Sequence, residues 1–134
     1  MLTITPTLLL AIAAGGALGA LARYLTHHVF SLWFGSGFPL GTLVANVSGC
    51  LLIGLFMGYW TNSGVELTNE SRGFIVIGFL GAFTTFSAFS LDTIAMLQNA
   101  DYFRAGLNIS LNLVLCLIAT LVGFWMIRQF VSPT

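Results

Sequence analysis

Long apolar stretches separated by short polar interruptions set the pattern of this chain. Residues without a single charge run from Thr7 to Ala22, Leu40 to Trp60, Gly73 to Leu91 and Leu107 to Ile127. A helix crossing a bilayer needs ~20 such residues at ~1.5 Å rise each. The first stretch is prolonged by a mostly apolar run from Arg23 to Phe34. Apolar residues follow one another continuously instead of alternating with period two, which predicts helices and not membrane strands. The expected elements are four transmembrane helices over about 7–34, 40–60, 73–97 and 104–130, forming a single integral membrane domain over 1–134.

Punctuation agrees with these limits. Pro6 suits a helix start, Gly35, Ser36, Gly37 and Pro39 mark the first turn, and Asn62, Ser63 and Gly64 mark the second. Asn99 to Asp101 is the shortest interruption. The first apolar run lacks a basic stretch ahead of it and stays apolar beyond its small residues, so it reads as a helix of the mature protein and not a signal peptide.

Composition narrows the function. Hydrophobic residues make up 57% of the chain and charged ones 6%, far from the ~25% charge of a soluble domain. Four arginines, no lysine and four acidic residues balance to zero, so no basic stripe exists to engage a nucleic acid. Cys50 and Cys116 sit within apolar runs and read as small core residues; the only histidines are the adjacent His27 and His28. No metal-ligand spacing, nucleotide loop or Ser-His-Asp set can be assembled, and the chain is not expected to be an enzyme.

With four spans, Arg72 and Arg128 fall on one side of the membrane and Arg23 and Arg104 on the other. Orientation follows the basic count in the loops, so this tie gives almost no instruction. Insertion both ways, and hence an antiparallel homodimer, becomes physically possible. Small residues at i, i+4 spacing (Gly15 and Gly19; Gly16 and Ala20; Gly41, Ala45 and Gly49; Gly54 and Gly58) favour close helix contacts in membranes of any function.

Polar residues inside the spans carry the candidate chemistry. Thr42, Asn46 and Cys50 share one stripe of span two, and Asn108, Asn112, Cys116 and Thr120 one stripe of span four. A buried amide such as Asn46 either donates to an anion or serves as interhelical glue. The second stripe faces either water or protein. In span three, phenylalanines (Phe83, Phe86, Phe89) and hydroxyls (Thr84, Ser87, Ser90) form two neighbouring i, i+3 stripes. Ring edges are positive and hydroxyls donate, so together they could line a path for an anion; ordinary core packing is the alternative. Gly78, Gly81, Thr84 and Thr85 weaken the helix there, and a local break would free backbone carbonyls suited to a cation.

Three ordered motifs complete the reading: Gly16-Ala17-Leu18-Gly19-Ala20-Leu21-Ala22-Arg23-Tyr24, Gly41-Thr42-Leu43-Val44-Ala45-Asn46-Val47-Ser48-Gly49, and Gly78 through Ser90 with its Gly81-Ala82-Phe83-Thr84-Thr85-Phe86-Ser87-Ala88-Phe89-Ser90 core. In these the chain resembles the Fluc (CrcB) family of fluoride-specific ion channels. The resemblance implies an all-α membrane protein of the bacterial inner membrane, four helices with a break in helix three, assembled as an antiparallel, dual-topology homodimer. It implies passive fluoride conduction, with pore residues at Asn46, Phe86, Phe89, Thr85, Ser87 and Ser90. It places Arg23 near the end of helix one, at the aqueous vestibule. It also implies a structural sodium ion at the dimer centre, held by the backbone carbonyls of Gly81 and Thr84. Ala88 departs from the threonine often found there, and Asp92 stands where a vestibule acid is common. The competing class, a small multidrug-type proton antiporter, would need an acidic residue within Leu8 to Ala22, and none is present.

Overall fold

The structure is a computed structural model that describes residues 4–64 and 66–131. Helix α1 (Pro6–Phe34) starts where Thr5 accepts a hydrogen bond from the Leu8 N–H at 3.2 Å, with proline in the first turn, whose N–H would have been unpaired. Helix α2 (Leu40–Ser63) ends at Gly64 in the left-handed region. The third span, Asn69–Gln98, is composite: a short α3 (Asn69–Arg72), a π-helical segment (Gly73–Leu80), a single turn α4 (Gly81–Phe83), and α5 (Phe86–Gln98). Helix α6 (Tyr102–Phe130) closes the chain after a turn in which Ala100 adopts φ 57°.

Four helices are therefore long and apolar enough to cross a membrane, and no strand occurs among the described residues. The protein is an all-helical, multi-pass membrane protein. The third span begins four residues earlier than its sequence limit, because Thr68 accepts from the Ser71 N–H and starts a helical turn. Glu70, expected in a loop, is consequently helical, and it accepts a hydrogen bond from Thr7 Oγ1 at 3.1 Å.

The spans pack as two parallel pairs. In the first, α1 lies along the π-helical segment: a Cβ at Gly15 or Gly19 would collide with the Phe74 or Phe79 carbonyl, and one at Gly78 would lie 2.6 Å from the Ile12 oxygen. Of the two small-residue stripes expected on α1, only Gly15 and Gly19 make this contact. Gly16 has no such neighbour around its Cβ position. In the second pair, α2 and α6 run side by side in a constant register. Asn46 meets Asn112, Gly54 meets Thr120 and Gly58 meets Phe124, each 66 residues further on.

Thr84 and Thr85 are both extended, with ψ of 151° and 113°. Ahead of them the third span packs on α1; beyond them α5 packs on α6 and leaves α1 altogether. Two extended residues thus transfer the chain from one parallel pair to the other. The interior reflects this: Leu43, Leu80, Phe83 and Phe89 are buried, but so are Thr42, Asn46, Thr85, Thr93, Asn108 and Asn112. Large apolar side chains such as Leu10, Phe103, Leu117 and Phe130 cover the outside, as a lipid-facing surface requires.

Candidate functional site

The two extended threonines would leave peptide groups without helical partners, and α2 supplies what is missing. Asn46 Oδ1 accepts from the Thr85 N–H at 2.7 Å, while Asn46 Nδ2 donates to the Thr85 carbonyl at 3.2 Å. One side-chain amide brackets one backbone unit, as a neighbouring strand would. The second Asn46 N–H goes to Asn112 Oδ1 at 2.9 Å. Both amide hydrogens that the sequence offered to an anion are therefore committed within the fold.

From Asn112 the network continues. Asn112 donates to the Asn108 side-chain oxygen and carbonyl, both at 3.0 Å, Asn108 donates to Thr93 Oγ1 at 2.9 Å, and Thr93 donates to the Phe89 carbonyl at 2.8 Å. The polar stripe of span four thus faces protein, against α2 and α5. No buried side-chain nitrogen or oxygen among the described residues lacks a partner, the condition under which a buried polar network stabilises a fold.

Thr85 also starts α5, its hydroxyl accepting from the Ala88 N–H at 3.2 Å and lying 3.1 Å from Ser87 Oγ. The i, i+3 stripes read across this region do not run through it. Phe83 lies before the extended pair and stacks on Phe79, with ring centroids 5.8 Å apart. Phe86 and Phe89 form their own tilted pair, 5.2 Å apart at 56°. Among the hydroxyls, Thr84 turns back to the Leu80 carbonyl at 2.9 Å and Ser90 donates to the Phe86 carbonyl at 2.9 Å. The reason is geometric: i, i+3 neighbours share a face only on a continuous helix.

A cavity of about 290 Å³ opens beside the extended pair, lined by Asn46, Thr84, Thr85, Phe86 and Phe89 together with residues of α6, and none of its walls is charged. Phe89 is buried, whereas Phe86 is 73% exposed on the single chain. Ser87 and Ser90 lie outside these walls. A second cavity of about 220 Å³ has Gly81 and Thr84 in its wall, with Gly49 opposite; a Cβ at Gly49 would run into the Thr84 methyl group. Among the described residues no group of three or more His, Cys, Asp and Glu could hold a metal ion. A cation here would rely on backbone oxygens, and the extended conformation of Thr84 leaves the preceding turn without a following one to bond.

Towards the α1–α2 turn lies a wider cavity of about 510 Å³, lined in part by His27, Asp92, Asp101 and Arg104. Thr42 donates its one hydroxyl hydrogen to Asp92 Oδ2 at 2.7 Å. His27 Nε2 lies 3.2 Å from Thr42 Oγ1, and with the hydroxyl hydrogen committed to Asp92 the imidazole N–H is the donor in that contact. His27 was not singled out by sequence; its pairing with Thr42 depends on Gly41, where a Cβ would lie 2.7 Å from the His27 Cα. Arg104 donates to the Gly37 carbonyl at 3.1 Å and pairs with Asp101 at 3.5 Å. Arg23 is half-buried within α1, eleven residues short of its end, and lines none of the three cavities. It is therefore not at the helix terminus, because α1 continues unbroken through the run to Phe34.

A family profile described as "CrcB-like protein, Camphor Resistance (CrcB)" matches residues 10–124. A Campylobacter lari protein named "Fluoride-specific ion channel FluC" is 47% identical over 116 residues, covering 87% of this chain and 93% of the relative. Proteins of the same name from Vibrio parahaemolyticus and Photobacterium profundum are each 45% identical, over 88% and 92% of this chain and 92% and 96% of their own lengths.

Proposed function

The chain belongs to the CrcB family, and from that premise we propose that it is a fluoride-selective channel of the bacterial inner membrane that lets fluoride leave the cell passively. The observation that carries this reading is the uncharged cavity beside Thr84 and Thr85, where Phe86 and Phe89 meet the amide network. Fluoride holds its water tightly, and a pore must replace that shell with many weak donors. Binding must still be loose enough for release. Ring edges supply partial positive charge without a fixed cation that would trap the ion. Thr85 adds a hydroxyl in the cavity wall, 3.1 Å from Ser87 Oγ.

Conduction in this reading takes two oppositely inserted copies. Phe86 is largely exposed on one chain, and a second copy would cover it and complete the wall around the ion. The even split of arginines between the two sides supports insertion in both directions. A sodium ion at the twofold axis fits the same arrangement: each chain has Gly81 and Thr84 in a cavity wall, and two copies double that set. Bound there, it would supply structural positive charge, the residues doing no more than holding it. His27 and Asp92, linked through the buried Thr42 hydroxyl, would form the aqueous approach, and Arg23 an electrostatic element of α1.

Purified protein in liposomes loaded with fluoride or chloride tests this. Fluoride release with chloride retained is expected; absent fluoride flux, or chloride passing nearly as fast, overturns it. A proton-coupled antiporter would instead make flux follow an imposed pH gradient.

A further inference from the structure

One turn beyond the Asn46–Asn112 contact, the α2–α6 register places Cys50 opposite Cys116. Asn46 donates to Asn112 on one side of the pair, and on the other Gly54 admits the α6 backbone at the Thr120 carbonyl, so the two helices are pinned close at both flanks. Both cysteines are free, both are half-buried, and both line the cavity that holds Phe86 and Phe89. They are the chain's only cysteines. Conduction as described above uses neither.

We propose that Cys50 and Cys116 form a two-sulfur site for a soft, two-coordinate d10 cation, and that a cation held there obstructs the cavity. The obstruction rests on the channel reading; the binding does not. Thiolates select soft metals, and the cavity wall offers no carboxylate or imidazole to complete the larger oxygen or nitrogen shells of harder ions. With mercuric chloride as the probe, two S–H and two Hg–Cl bonds break, two S–Hg bonds form, and two protons and two chloride ions leave to water. The bound unit is then neutral, which matters at bilayer depth, where residual charge is costly.

The experiment loads purified protein with mercuric chloride, washes it with a competing monothiol, and measures retained mercury by elemental analysis alongside a free-thiol count. Wild type is expected to retain mercury and lose both reactive thiols. Cys50→Ser and Cys116→Ser are each expected to lose retention, since one sulfur cannot chelate; alanine variants serve if either serine variant fails to assemble. No retention by wild type, or equal retention by a single variant, overturns the site. In liposomes, mercury should stop fluoride release through wild type and leave the double variant's own flux unaltered. Retained mercury with undiminished flux overturns the obstruction. Absent flux before mercury is added overturns the channel reading, while retention still reports on the site.

Discussion

The two parallel helix pairs solve the same packing problem in different ways. Between α1 and the π-helical segment, contact is backbone against backbone through Gly15, Gly19 and Gly78. Between α2 and α6, glycine does this only in one half, at Gly54, Gly58 and Gly123; the other half is a ladder of amides beginning at Asn46 and Asn112. Lipid tails are as apolar as leucine, so helices in a bilayer associate through close packing and hydrogen bonds. The first pair uses close packing of its backbones. The second combines both, and its hydrogen-bonded half is where the cavity lies.

Disrupting the ladder should have the largest effect. Each interhelical hydrogen bond in a bilayer is worth ~0.6–2 kcal/mol, and Asn46 makes three across to other elements. Asn46→Ala is expected to cost ~2–6 kcal/mol on that scale and to abolish flux. Asn46→Asp keeps the acceptor for the Thr85 N–H but sets a carboxylate against the Thr85 carbonyl and Asn112 Oδ1 at bilayer depth, so flux should fall and stability should drop at least as far as in Asn46→Ala. Thermal unfolding in detergent beside liposome flux checks both variants. Equal stability of Asn46→Ala and wild type would contradict a structural role for the ladder.

The glycine pair comes next. Gly78→Ala puts a methyl group 2.6 Å from the Ile12 carbonyl oxygen, and overpacking of this kind costs ~1–3 kcal/mol. Gly16→Ala, with open space around it, should leave the melting temperature unchanged. A similar loss from both would show that the contact is not at Gly78.

Phe86→Ile and Phe89→Ile sharpen the comparison on the functional side. Both should reduce fluoride flux by ~10-fold or more, equivalent to ~1.4 kcal/mol on the barrier, by removing ring edges. Their stabilities should differ, because Phe89 is buried and Phe86 is exposed on the single chain. Wild-type flux in both variants would remove the aromatic pair from the pore.

The smallest effect lies outside both pairs. Ala100 occupies the left-handed region at φ 57°, a cost of roughly 1–2 kcal/mol for a residue with a β-carbon. Ala100→Gly should raise the melting temperature slightly without altering flux. A lowered melting temperature would argue against strain at that turn.

Four spans, their turns and both polar stripes were legible in the sequence, because hydrophobic length and i, i+4 spacing are local properties that a helix preserves. The pairing of the stripes was not. Asn46 and Asn112 are 66 residues apart, and nothing local says that spans two and four run side by side in register. The i, i+3 reading of Phe83 with Phe86 failed for a related reason, since spacing predicts a shared face only while the helix continues. His27 gave no signal because its partner Thr42 lies across a turn and depends on the close approach at Gly41.

The chain by itself determined that it belongs in a membrane, that it has four stretches long and apolar enough to cross one, and that weak glycine- and threonine-rich helix surrounds positions 78 to 85. Those follow from transfer free energy and backbone propensity, which act residue by residue. Only the tertiary structure decided that an amide from α2 holds Thr85, that α5 leaves α1 for α6, and that two thiols and two phenylalanines share one cavity. These depend on which helices are neighbours, and that is fixed by the simultaneous fit of glycine notches and buried hydrogen bonds over the whole molecule.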